Sequence, residues 1–497
     1  MDDRMSHLSS RLNATLIEPF QPEGCRWMLN RELETCPPSL NGFVSPKGGV
    51  LADEVGLGKT ILAICMMVLN PKPKTLVILP KSLVMQWKEQ IERFTSFVDV
   101  CVVTSARHLD KRATSSKPTV FLISQSALNS KNKVIGQTVL HTIDWDRVVI
   151  DEAHSLRNKK SKLFQTCRLL RGDIKWALSA TPVMNRMSDF ISIMEWIGVP
   201  QYLSQNEKEW VTASFVIRRT KADLCTTPSA NTSKCSVQVK YVPFSTTAEA
   251  ELYCNVFSEQ RKHMLRDKTR KNLTDSLERL LRVRQLCIHP QLYLDGMKKK
   301  TKQDYGRWGS GVTKLQELIH SIQNQPVGDK AIVFCQFVKE MDAYISILNC
   351  VGISCIRLDG TLSTHEREAS INKFTTDDSV STFVIQINTG GQGINLQVAN
   401  HVYIMSPNWN PAVEYQAIGR CFRTGQTKDV FVTRFCITSG CPDMPFVEEE
   451  IIDLQERKKK IISQILNDQR IVNDGVEHVR ETTSGLSVDD IHRIFRV

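Results

Sequence analysis

Short apolar runs alternate with longer helix-type segments between residues 75 and 178 of the chain. The runs are rich in β-branched side chains and are apolar throughout, as expected for strands that are buried on both faces. They are Thr75 to Leu79, Val100 to Val103, Val120 to Ile123, Val148 to Ile150 and Trp176 to Leu178. Such strands, separated by helices, predict a parallel sheet covered on both sides. We therefore expect a doubly wound α/β lobe.

The same alternation returns after residue 330 and predicts a second α/β lobe. Two helix-type segments, Val338 to Leu348 and His365 to Phe374, separate its apolar runs. The strand-like runs are Ala331 to Cys335, Ser354 to Leu358, Thr382 to Ile387, His401 to Met405 and Val430 to Phe435.

A charged helical stretch separates the two predicted lobes. It follows a short strand, Val237 to Val242, and opens with Thr246 and Glu249 at the spacing of a capping box. Helix-type sequence continues through Leu286, and Lys298 to Gly311 is a polar linker. One apolar stripe predicts a core between helices, and its members are Leu273, Leu277, Leu280 and Leu281.

These patterns predict an α/β fold with two parallel-sheet lobes and a helical insertion between them. We place an N-terminal lobe at residues 1–235 and a basic helical insertion with its linker at 236–310. A C-terminal lobe follows at 311–445, and a helical brace occupies 446–497.

Length and composition agree with a chain of several domains. The 497 residues are 41% hydrophobic, which is enough for two or three packed cores. The longest apolar stretch, Ile61 to Leu69, is too short to span a bilayer, and the acidic N-terminus does not resemble a signal peptide. The fifteen cysteines lie singly, without a Cys-x-x-Cys pair. We expect a protein that is neither secreted nor membrane-bound, with buried reduced thiols rather than a metal site.

Positive charge is concentrated in two stretches. The formal net charge is +11, and Glu259 to Lys302 contains 13 Lys or Arg residues against 5 acidic ones. Leu156 to Trp176 contains 7 basic residues and one acid, Asp173. The stretches are either solvated helix faces or a track for a polyanion such as nucleic acid.

The glycine-rich segment from Gly48 to Thr60 is typical of a strand, a phosphate-binding loop and a buried helix. The loop N–H groups and the helix N-terminus would face phosphates, Lys59 would reach the terminal phosphates, and the Thr60 hydroxyl would hold Mg²⁺. The usual pattern has a glycine where Asp53 stands, so a glycine turn opening an ordinary helix is the alternative. The loop residues expected to bind nucleotide are Asp53, Glu54, Val55, Gly56, Leu57, Gly58, Lys59 and Thr60.

Two acidic residues close a predicted strand about 90 residues further on. Val148 to Ile150 runs directly into Asp151 and Glu152. At the carboxyl edge of a parallel sheet, Asp151 would hold Mg²⁺ and Glu152 would orient or deprotonate the attacking water. Upstream, Gln21 stands just before a predicted helix, where its amide could bind an adenine edge.

The second lobe contains two further segments with candidate chemistry. Thr389 to Leu396 is rich in glycine, which permits a close backbone approach to a phosphate. In the segment that begins at Gln416, Arg420 and Arg423 lie three residues apart. We expect the two arginines to share a helix face and to act as forked donors to a γ-phosphate.

From Leu16 to Phe495 these segments resemble the Swi/Snf-type DNA-dependent ATPases of helicase superfamily two. The loop is similar to that family's own, in which Asp53 and Glu54 replace the first glycine. The closing residues resemble the branch that contains the helicase-like transcription factor, but no segment resembles a bromodomain, chromodomain or RING domain. Further matching blocks are Leu76 to Trp87, Val149 to Asn158, Leu178 to Asn185, Ile217 to Lys221, Gln285 to Pro290 and Trp409 to Glu414.

The resemblance implies two RecA-like lobes and a role for each matching residue. Gln21 would contact adenine, and Gln416, Arg420 and Arg423 would complete the ATP site across a cleft. The residues expected to grip DNA phosphates are Lys81, Ser82, Ser124, Gln125, Thr389 and Gly391. Two positions depart from the family pattern, Ser406 where an acid is usual and Ser179-Ala180 where Thr-Gly is more usual.

The sequence is therefore expected to encode an ATP hydrolase that uses ATP and Mg²⁺. We expect a monomeric translocase on double-stranded DNA that remodels complexes of DNA with other proteins, in transcription or repair. The nucleus is the expected compartment, or the cytoplasm if the chain is viral. A strand-separating DNA or RNA helicase and a non-catalytic ATP-binding switch on DNA remain the alternatives.

Overall fold

The computed structural model of the chain contains two compact units. Residues 4–5, 7–33, 42–104, 117–128, 135–136, 138–183, 186–220, 223, 233–266, 273–390, 394–423, 425–439, 446–466 and 488–495 are described. The first unit comprises Met1–Ala230 with Ile461–Asn473, and the second comprises Asn231–Lys460 with Asp474–Val497.

Seven parallel strands form the sheet of the first unit, in the order β3-β4-β2-β5-β6-β1-β7. The strands are β1 Lys47–Leu51, β2 Lys74–Leu79, β3 Asp99–Val102, β4 Thr119–Ser124, β5 Trp145–Asp151, β6 Gly172–Leu178 and β7 Val216–Ile217. Successive β2 side chains such as Leu76 and Val77 point to opposite faces, and both are fully buried. The prediction of a parallel sheet covered on both faces is confirmed.

Helices surround this sheet. They are α1 Leu8–Arg11, α2 Phe20–Leu33, α3 Lys59–Leu69, α4 Val84–Phe94, α5 Gln125–Leu128, α6 Lys162–Arg168, α7 Met187–Ile197, α8 Gln201–Asn206 and α9 Lys208–Phe215. Short 3₁₀ turns lie at Lys81–Leu83, Val139–His141 and Ala153–Leu156. The helix α3 after the predicted phosphate loop is buried from Leu62 to Leu69, because its sequence is apolar on all sides.

A buried ion pair between Arg147 and Glu32 joins β5 to α2. Arg147 of β5 donates from Nε to Glu32 Oε1 at 2.7 Å and from Nη2 to Oε2 at 2.5 Å. Trp176 Nε1 and Asn70 Nδ2 also donate to this carboxylate, at 2.8 Å and 2.7 Å. Arg147 and Glu32 are buried, so the pair depends on these additional hydrogen bonds to offset its desolvation.

The second unit contains a six-stranded parallel sheet in the order β10-β11-β9-β12-β13-β8. Its strands are β8 Cys235–Pro243, β9 Ala331–Cys335, β10 Cys355–Leu358, β11 Thr382–Gln386, β12 His401–Ile404 and β13 Val430–Thr438. The sequence placed β8 at the start of the helical insertion. The structure instead pairs it with β13, as an edge of the second sheet.

The helices of the second unit lie before, between and after these strands. They are α10 Thr247–Arg266, α11 Leu273–Ile288, α12 Pro290–Thr301, α13 Thr313–Gln323, α14 Val338–Cys350, α15 Thr364–Thr376, α16 Ile387–Gly390, α17 Pro411–Ile418, α18 Val447–Leu466 and α19 Val488–Ile494. The last six residues of α18, 461–466, belong to the first unit. The start of the predicted linker is helical, since α12 continues to Thr301.

The predicted insertion and brace share one core. Tyr253 of α10 stacks on Phe446, just before α18, with ring centroids 4.3 Å apart, and Phe257 stacks on Phe495, just after α19, at 5.3 Å. The predicted leucine stripe is only partly correct, because Leu280 is buried in this core whereas Leu273 and Leu277 are exposed. The division of the chain into four domains stays a prediction.

A second buried arginine has a different environment. Arg284 of α11 donates from Nε to the Ser406 hydroxyl at 3.2 Å and from Nη2 to the Pro407 carbonyl. Its guanidinium carbon lies 4.3 Å from the centroid of the Trp409 ring. Burial lowers the pKa of Arg284.

Within the described ranges, no helix is long and apolar enough to cross a membrane. The described cysteines are free thiols, and most of them are buried. No group of His, Cys, Asp and Glu side chains in the same ranges is arranged to hold a metal ion.

Candidate nucleotide site

The predicted phosphate loop connects β1 to α3. Gly56 and Gly58 have φ angles of +90° and +87°, a region that other residues rarely occupy. A Cβ atom at Gly58 would lie 2.5 Å from Gln21 Nε2, so a larger residue there would also displace the Gln21 amide. No side chain caps the N-terminus of α3 at Gly58, which leaves its first N–H groups suited to an anion.

Lys59 is the first residue of α3 and points back over the loop. Its Nζ donates to the carbonyls of Asp53 at 2.8 Å and Glu54 at 3.3 Å. The loop backbone thus surrounds its own ammonium group, where a phosphate would be held between Lys59 and the helix N-terminus. Thr60 follows in the first turn and is half-buried.

Gln21 belongs to the same site, although its predicted position needs a correction. The sequence placed it just before a helix, whereas it is the second residue of α2. Its Oε1 accepts from the Ile17 N–H at 2.9 Å, and its Nε2 donates to the Leu57 carbonyl in the loop at 3.2 Å. The candidate adenine contact therefore lies directly against the phosphate loop.

Asp151 is the last residue of β5 and is held from two sides. Its Oδ2 accepts from Trp87 Nε1 at 2.8 Å, and its Oδ1 accepts from the Glu152 N–H at 2.9 Å. Burial raises the pKa of Asp151 to about 6 and the charge of Glu152 adds to this, while both hydrogen bonds and the Lys59 charge act against it. A positive partner at this carboxylate would favour its ionised form.

Glu152 has a left-handed backbone with φ +52°, which is uncommon for a residue other than glycine. One carboxylate oxygen lies 3.2 Å from His154 Nδ1, and the same nitrogen lies 3.4 Å from the Ser179 hydroxyl. Gln125 Nε2 donates to the Asp151 carbonyl at 3.1 Å. The ends of β4, β5 and β6 are thereby connected by side chains.

Two arginines that the sequence gave no role hold the phosphate loop. Arg218 Nη1 donates to the carbonyls of Ala52 and Ala180, both at 3.1 Å. Arg219 pairs with the buried carboxylate of Asp53, at 2.5 Å from Nη2. The sequence marks Ile217 to Lys221 as a family block. It does not show that Arg219 contacts Asp53, because the two residues lie 166 positions apart.

The candidate arginines of the second unit lie on turns. The prediction that Arg420 and Arg423 share a helix face is wrong, because α17 ends at Ile418. Arg420 is buried, and burial lowers the pKa of Arg423. Gln416 lies on α17, and its Nε2 makes no hydrogen bond in the described part of the chain. The three residues share one short stretch, but their contribution to a phosphate site in the first unit remains a prediction.

The candidate DNA contacts of the first unit lie at the ends of the neighbouring strands β2 and β4, and the others belong to the second unit. Lys81 and Ser82 are exposed just after β2, and Ser124 ends the adjacent strand β4, opposite Leu79 in the register. Thr389 of the second unit is buried, and its carbonyl accepts from Arg367 at 3.1 Å. Gly391 lies outside the described residues.

The basic stretch 259–302 is partly structural. Arg284 is buried, Arg279 pairs with Asp275 at 3.0 Å, and Lys300 pairs with Glu278 at 3.0 Å. The same stretch also has exposed basic side chains, among them Arg261, Lys262, Lys298 and Lys302. In the stretch 156–176, Arg157, Lys160 and Arg168 are exposed, and Arg171 is exposed but pairs with Asp144 at 3.4 Å. Both stretches therefore remain candidates for a polyanion track.

The fold and these motifs define a protein with two RecA-like units, the first of which carries a candidate nucleotide site. The chain matches the SNF2-related domain over residues 20–211 and the helicase conserved C-terminal domain over residues 312–425. It therefore belongs to the Swi/Snf-type, helicase-like ATPases of superfamily two.

Similar proteins occur in bacteria, fungi and viruses. A putative ATP-dependent helicase/translocase YwqA of Bacillus subtilis is 28% identical over 92% of this chain and 50% of its own length. The DNA repair protein rad8 of Schizosaccharomyces pombe is 23% identical over 92% of this chain and 54% of its own length. A probable global transactivator of Orgyia pseudotsugata multicapsid polyhedrosis virus is 28% identical over 86% of this chain and 87% of its own length.

The chain thus spans about half the length of the bacterial and fungal relatives. Among solved structures, the Sulfolobus solfataricus SWI2/SNF2 ATPase core in complex with dsDNA aligns with a TM-score of 0.41 and 24% identity. That alignment covers 94% of this chain and 98% of the other.

Proposed function

We propose that the chain is an ATP-driven translocase on double-stranded DNA that remodels complexes of DNA with other proteins. The proposal rests on one observation: the candidate site residues of the first unit lie together at the carboxyl ends of the strands of one parallel sheet. Lys59 and Gln21 lie there at the predicted phosphate loop after β1. Asp151 ends β5, which only β6 separates from β1, and Glu152 follows it in the chain. Family membership adds the expectation of ATP use, and the names of relatives add helicase, translocase and DNA repair.

Each residue of the site receives one proposed role. Gln21 reads the adenine edge, since its amide can both donate and accept. Lys59 and the N–H groups that open α3 bind the phosphates. Glu152 orients the attacking water, and His154 holds the Glu152 side chain in place. Gln416, Arg420 and Arg423 are proposed to stabilise the charge that develops on the γ-phosphate.

The donor set at the loop fits Mg²⁺. The Thr60 hydroxyl and the Asp151 carboxylate are the hard oxygen ligands that Mg²⁺ prefers. When bound, the ion neutralises phosphate charge. Trp87 and the Glu152 N–H contribute by holding the Asp151 carboxylate in one orientation.

The proposed DNA contacts follow from position and charge. Lys81, Ser82, Ser124 and Gln125 lie at the same edge of the first sheet, where phosphates could lie along it. Thr389 and Gly391 are the proposed contacts of the second unit. Binding through phosphates is independent of sequence and weakens with salt.

The main test is steady-state ATP hydrolysis by the purified chain, alone and with duplex DNA, single-stranded DNA or RNA, at fixed salt. Lys59→Ala is expected to lower turnover at least 100-fold. Lys47→Ala, which removes a half-buried lysine paired with Asp173, is the matched control and should keep turnover. Arg423→Gln is expected to lower kcat more than it changes the KM for ATP.

Duplex DNA should stimulate turnover more than single strands or RNA do. Stimulation by single strands or RNA alone would favour the strand-separating helicase. ATP binding without turnover in any condition would instead indicate a non-catalytic switch. Normal turnover by Lys59→Ala would contradict the site itself.

Three finer points belong to the same proposal. We propose that the chain acts as a monomer, in transcription or DNA repair, and that it works in the nucleus, or in the cytoplasm if it is viral. Light scattering of the chain on a DNA duplex tests the first point. Imaging of the tagged chain in its host cell tests the compartment.

A further inference from the structure

Asp53 stands where phosphate loops usually have a glycine, and its carboxylate is fully buried. Three donors of one residue, Arg219, hold it. The backbone N–H and Nε of Arg219 bond to Oδ1 at 3.0 Å and 3.1 Å, and Nη2 bonds to Oδ2 at 2.5 Å. A buried carboxylate requires such partners, because burial disfavours its charge. Asp53 therefore attaches the loop firmly to Arg219.

The remaining contacts of Arg219 reach the helix that carries Gln21. Its guanidinium carbon lies 3.9 Å from the centroid of the Phe20 ring, and its Nη1 donates to the Phe20 carbonyl. Phe20 immediately precedes Gln21 and packs with Leu57 of the loop. One planar, forked group thus spans from the predicted phosphate loop to the residue that precedes the candidate adenine contact.

Gly24, one helical turn after Phe20, leaves room for this group. A Cβ atom at Gly24 would lie 2.5 Å from Arg219 Nη2 and 2.7 Å from Nη1. Its backbone φ is not in the positive range that requires glycine. Space for the guanidinium, rather than backbone conformation, therefore explains the glycine in the middle of α2, where it weakens the helix.

We propose that Arg219 is a positioning residue that makes the site selective for adenine nucleotides. The inference rests on the proposed function. Base contacts from Gln21 add to phosphate contacts from Lys59 only when helix and loop are held at the separation that one nucleotide spans. The Asp53–Arg219–Phe20 connection fixes this separation. Without it, phosphates still bind, but they are the same in every nucleoside triphosphate, so discrimination between bases falls.

The first experiment compares ATP with GTP as substrates of Arg219→Gln. The kcat/KM for ATP is expected to fall roughly 10- to 100-fold, mainly through KM, while that for GTP falls less. Arg219→Lys should not restore the ATP to GTP ratio, because an ammonium group cannot bond to Asp53 and Phe20 in the same forked geometry. Asp53→Asn should lower the ATP to GTP ratio too. The double variant Arg219→Gln/Asp53→Asn should lose less of this ratio than the product of the two single losses, because the two residues act through one contact.

Gly24→Ala separates positioning from stability. Alanine favours helix more than glycine does, which offsets part of the loss when its methyl group shifts the guanidinium, so this variant should stay more stable than Arg219→Gln while its ATP to GTP ratio still falls. A purely structural role for Arg219 predicts that selectivity changes only when stability is lost. This variant also keeps the inference testable if Arg219→Gln does not fold.

Arg31→Gln is the matched control. Arg31 lies on the same helix, donates to the Gly48 and Pro46 carbonyls at 2.9 Å and 2.7 Å, and lies over the Phe215 ring. Its loss should lower stability and leave the ratio unchanged. An unchanged ratio in both Arg219→Gln and Gly24→Ala, or a wild-type chain without preference for ATP over GTP, would overturn the inference while the proposed function stands.

If the wild-type chain turns over no nucleotide, calorimetric binding of ATP and GTP supplies the same ratio. A chain that neither binds nor hydrolyses ATP would overturn the proposed function, and the inference with it.

Discussion

Arg147 and Arg284 are the most deeply buried of the described arginines in their two units, but they have different partners. Arg147 of the first unit lies against the Glu32 carboxylate, which it contacts with two nitrogens. Arg284 of the second unit has a hydroxyl, a carbonyl and the Trp409 ring instead. Both side chains are almost entirely buried. Because the two side chains are similarly buried, the difference between them shows what a hydrogen-bonded carboxylate adds to the stability of a desolvated guanidinium.

The difference shows how each unit tolerates a buried cation. The Glu32 carboxylate, at hydrogen-bond distance, offsets the desolvation of Arg147. Asn70 and Trp176 donate to further lone pairs of the same carboxylate. Arg284 relies on neutral acceptors and an aromatic face. Desolvation lowers its pKa, and the charges of Glu448, Glu340 and Glu414 act in the opposite direction. Removal of one partner should therefore strongly lower the stability of the first unit. Addition of a carboxylate beside Arg284 should raise the stability of the second.

The largest expected effect follows from Glu32→Gln. This change leaves the Arg147 charge buried without its carboxylate and should destabilise the first unit by about 3–5 kcal/mol. Hydrogen exchange of the β5 amides in the intact chain measures the loss. Glu448→Gln, which leaves the buried Lys314 of the second unit without its carboxylate, is the matched control and should instead raise exchange in β13, whose Ile437 N–H donates to Glu448. Equal protection of β5 in wild type and Glu32→Gln would contradict this account.

A smaller effect concerns pH and a second buried base near Arg284. Burial lowers the pKa of His289 to about 4, with Asp295 acting weakly in the opposite direction. The folded chain therefore binds fewer protons there than the unfolded chain. The contribution is complete above the unfolded pKa of about 6.5 and is lost as pH falls toward 4, by roughly 2–3 kcal/mol.

His289→Asn should remove this acid sensitivity. Asparagine can still accept the Gln291 N–H that His289 Nδ1 accepts at 3.1 Å. Urea unfolding of the two proteins between pH 7 and pH 4.5 gives the difference, in which the other titrating groups cancel. Parallel pH profiles would mean that His289 is not held neutral.

The smallest expected effect is a gain in stability from Ser406→Asp. A carboxylate at this position would lie within reach of Arg284 Nε, so the second unit should gain about 1–2 kcal/mol. Ser406→Asn, of similar size without the charge, is the control and should gain nothing. A loss of stability would show that desolvation of the new carboxylate outweighs its bond to Arg284.

The sequence predicted both sheets well because buried parallel strands are continuous apolar runs. Each of the ten apolar runs became a strand, and the loop 52–58 and α3 lie where the glycine pattern placed a loop and a helix. Helix boundaries were less predictable. Gln21 entered α2 and Arg420 fell beyond α17, since helix ends depend on local hydrogen bonds that no periodicity specifies.

The contacts that hold the site could not be predicted from local pattern. Trp87 bonds to Asp151 across 64 residues and Arg219 to Asp53 across 166 residues. Both lie in blocks that the family resemblance had marked, but neither had been given a role. The leucine stripe was only partly correct for a similar reason, because what packs against α11 decides which of its faces is buried.

The position of β8 has a consequence for folding during synthesis. The seven strands of the first sheet are complete once Ile217 has been made. Cys235 of β8, in contrast, precedes its partner Val430 in β13 by 195 residues, and Val237 and Tyr241 of this edge strand are exposed even in the finished fold. The first sheet can therefore form while the ribosome is still at work. β8 must wait unpaired for most of the second unit, which makes it the segment most in need of protection from aggregation.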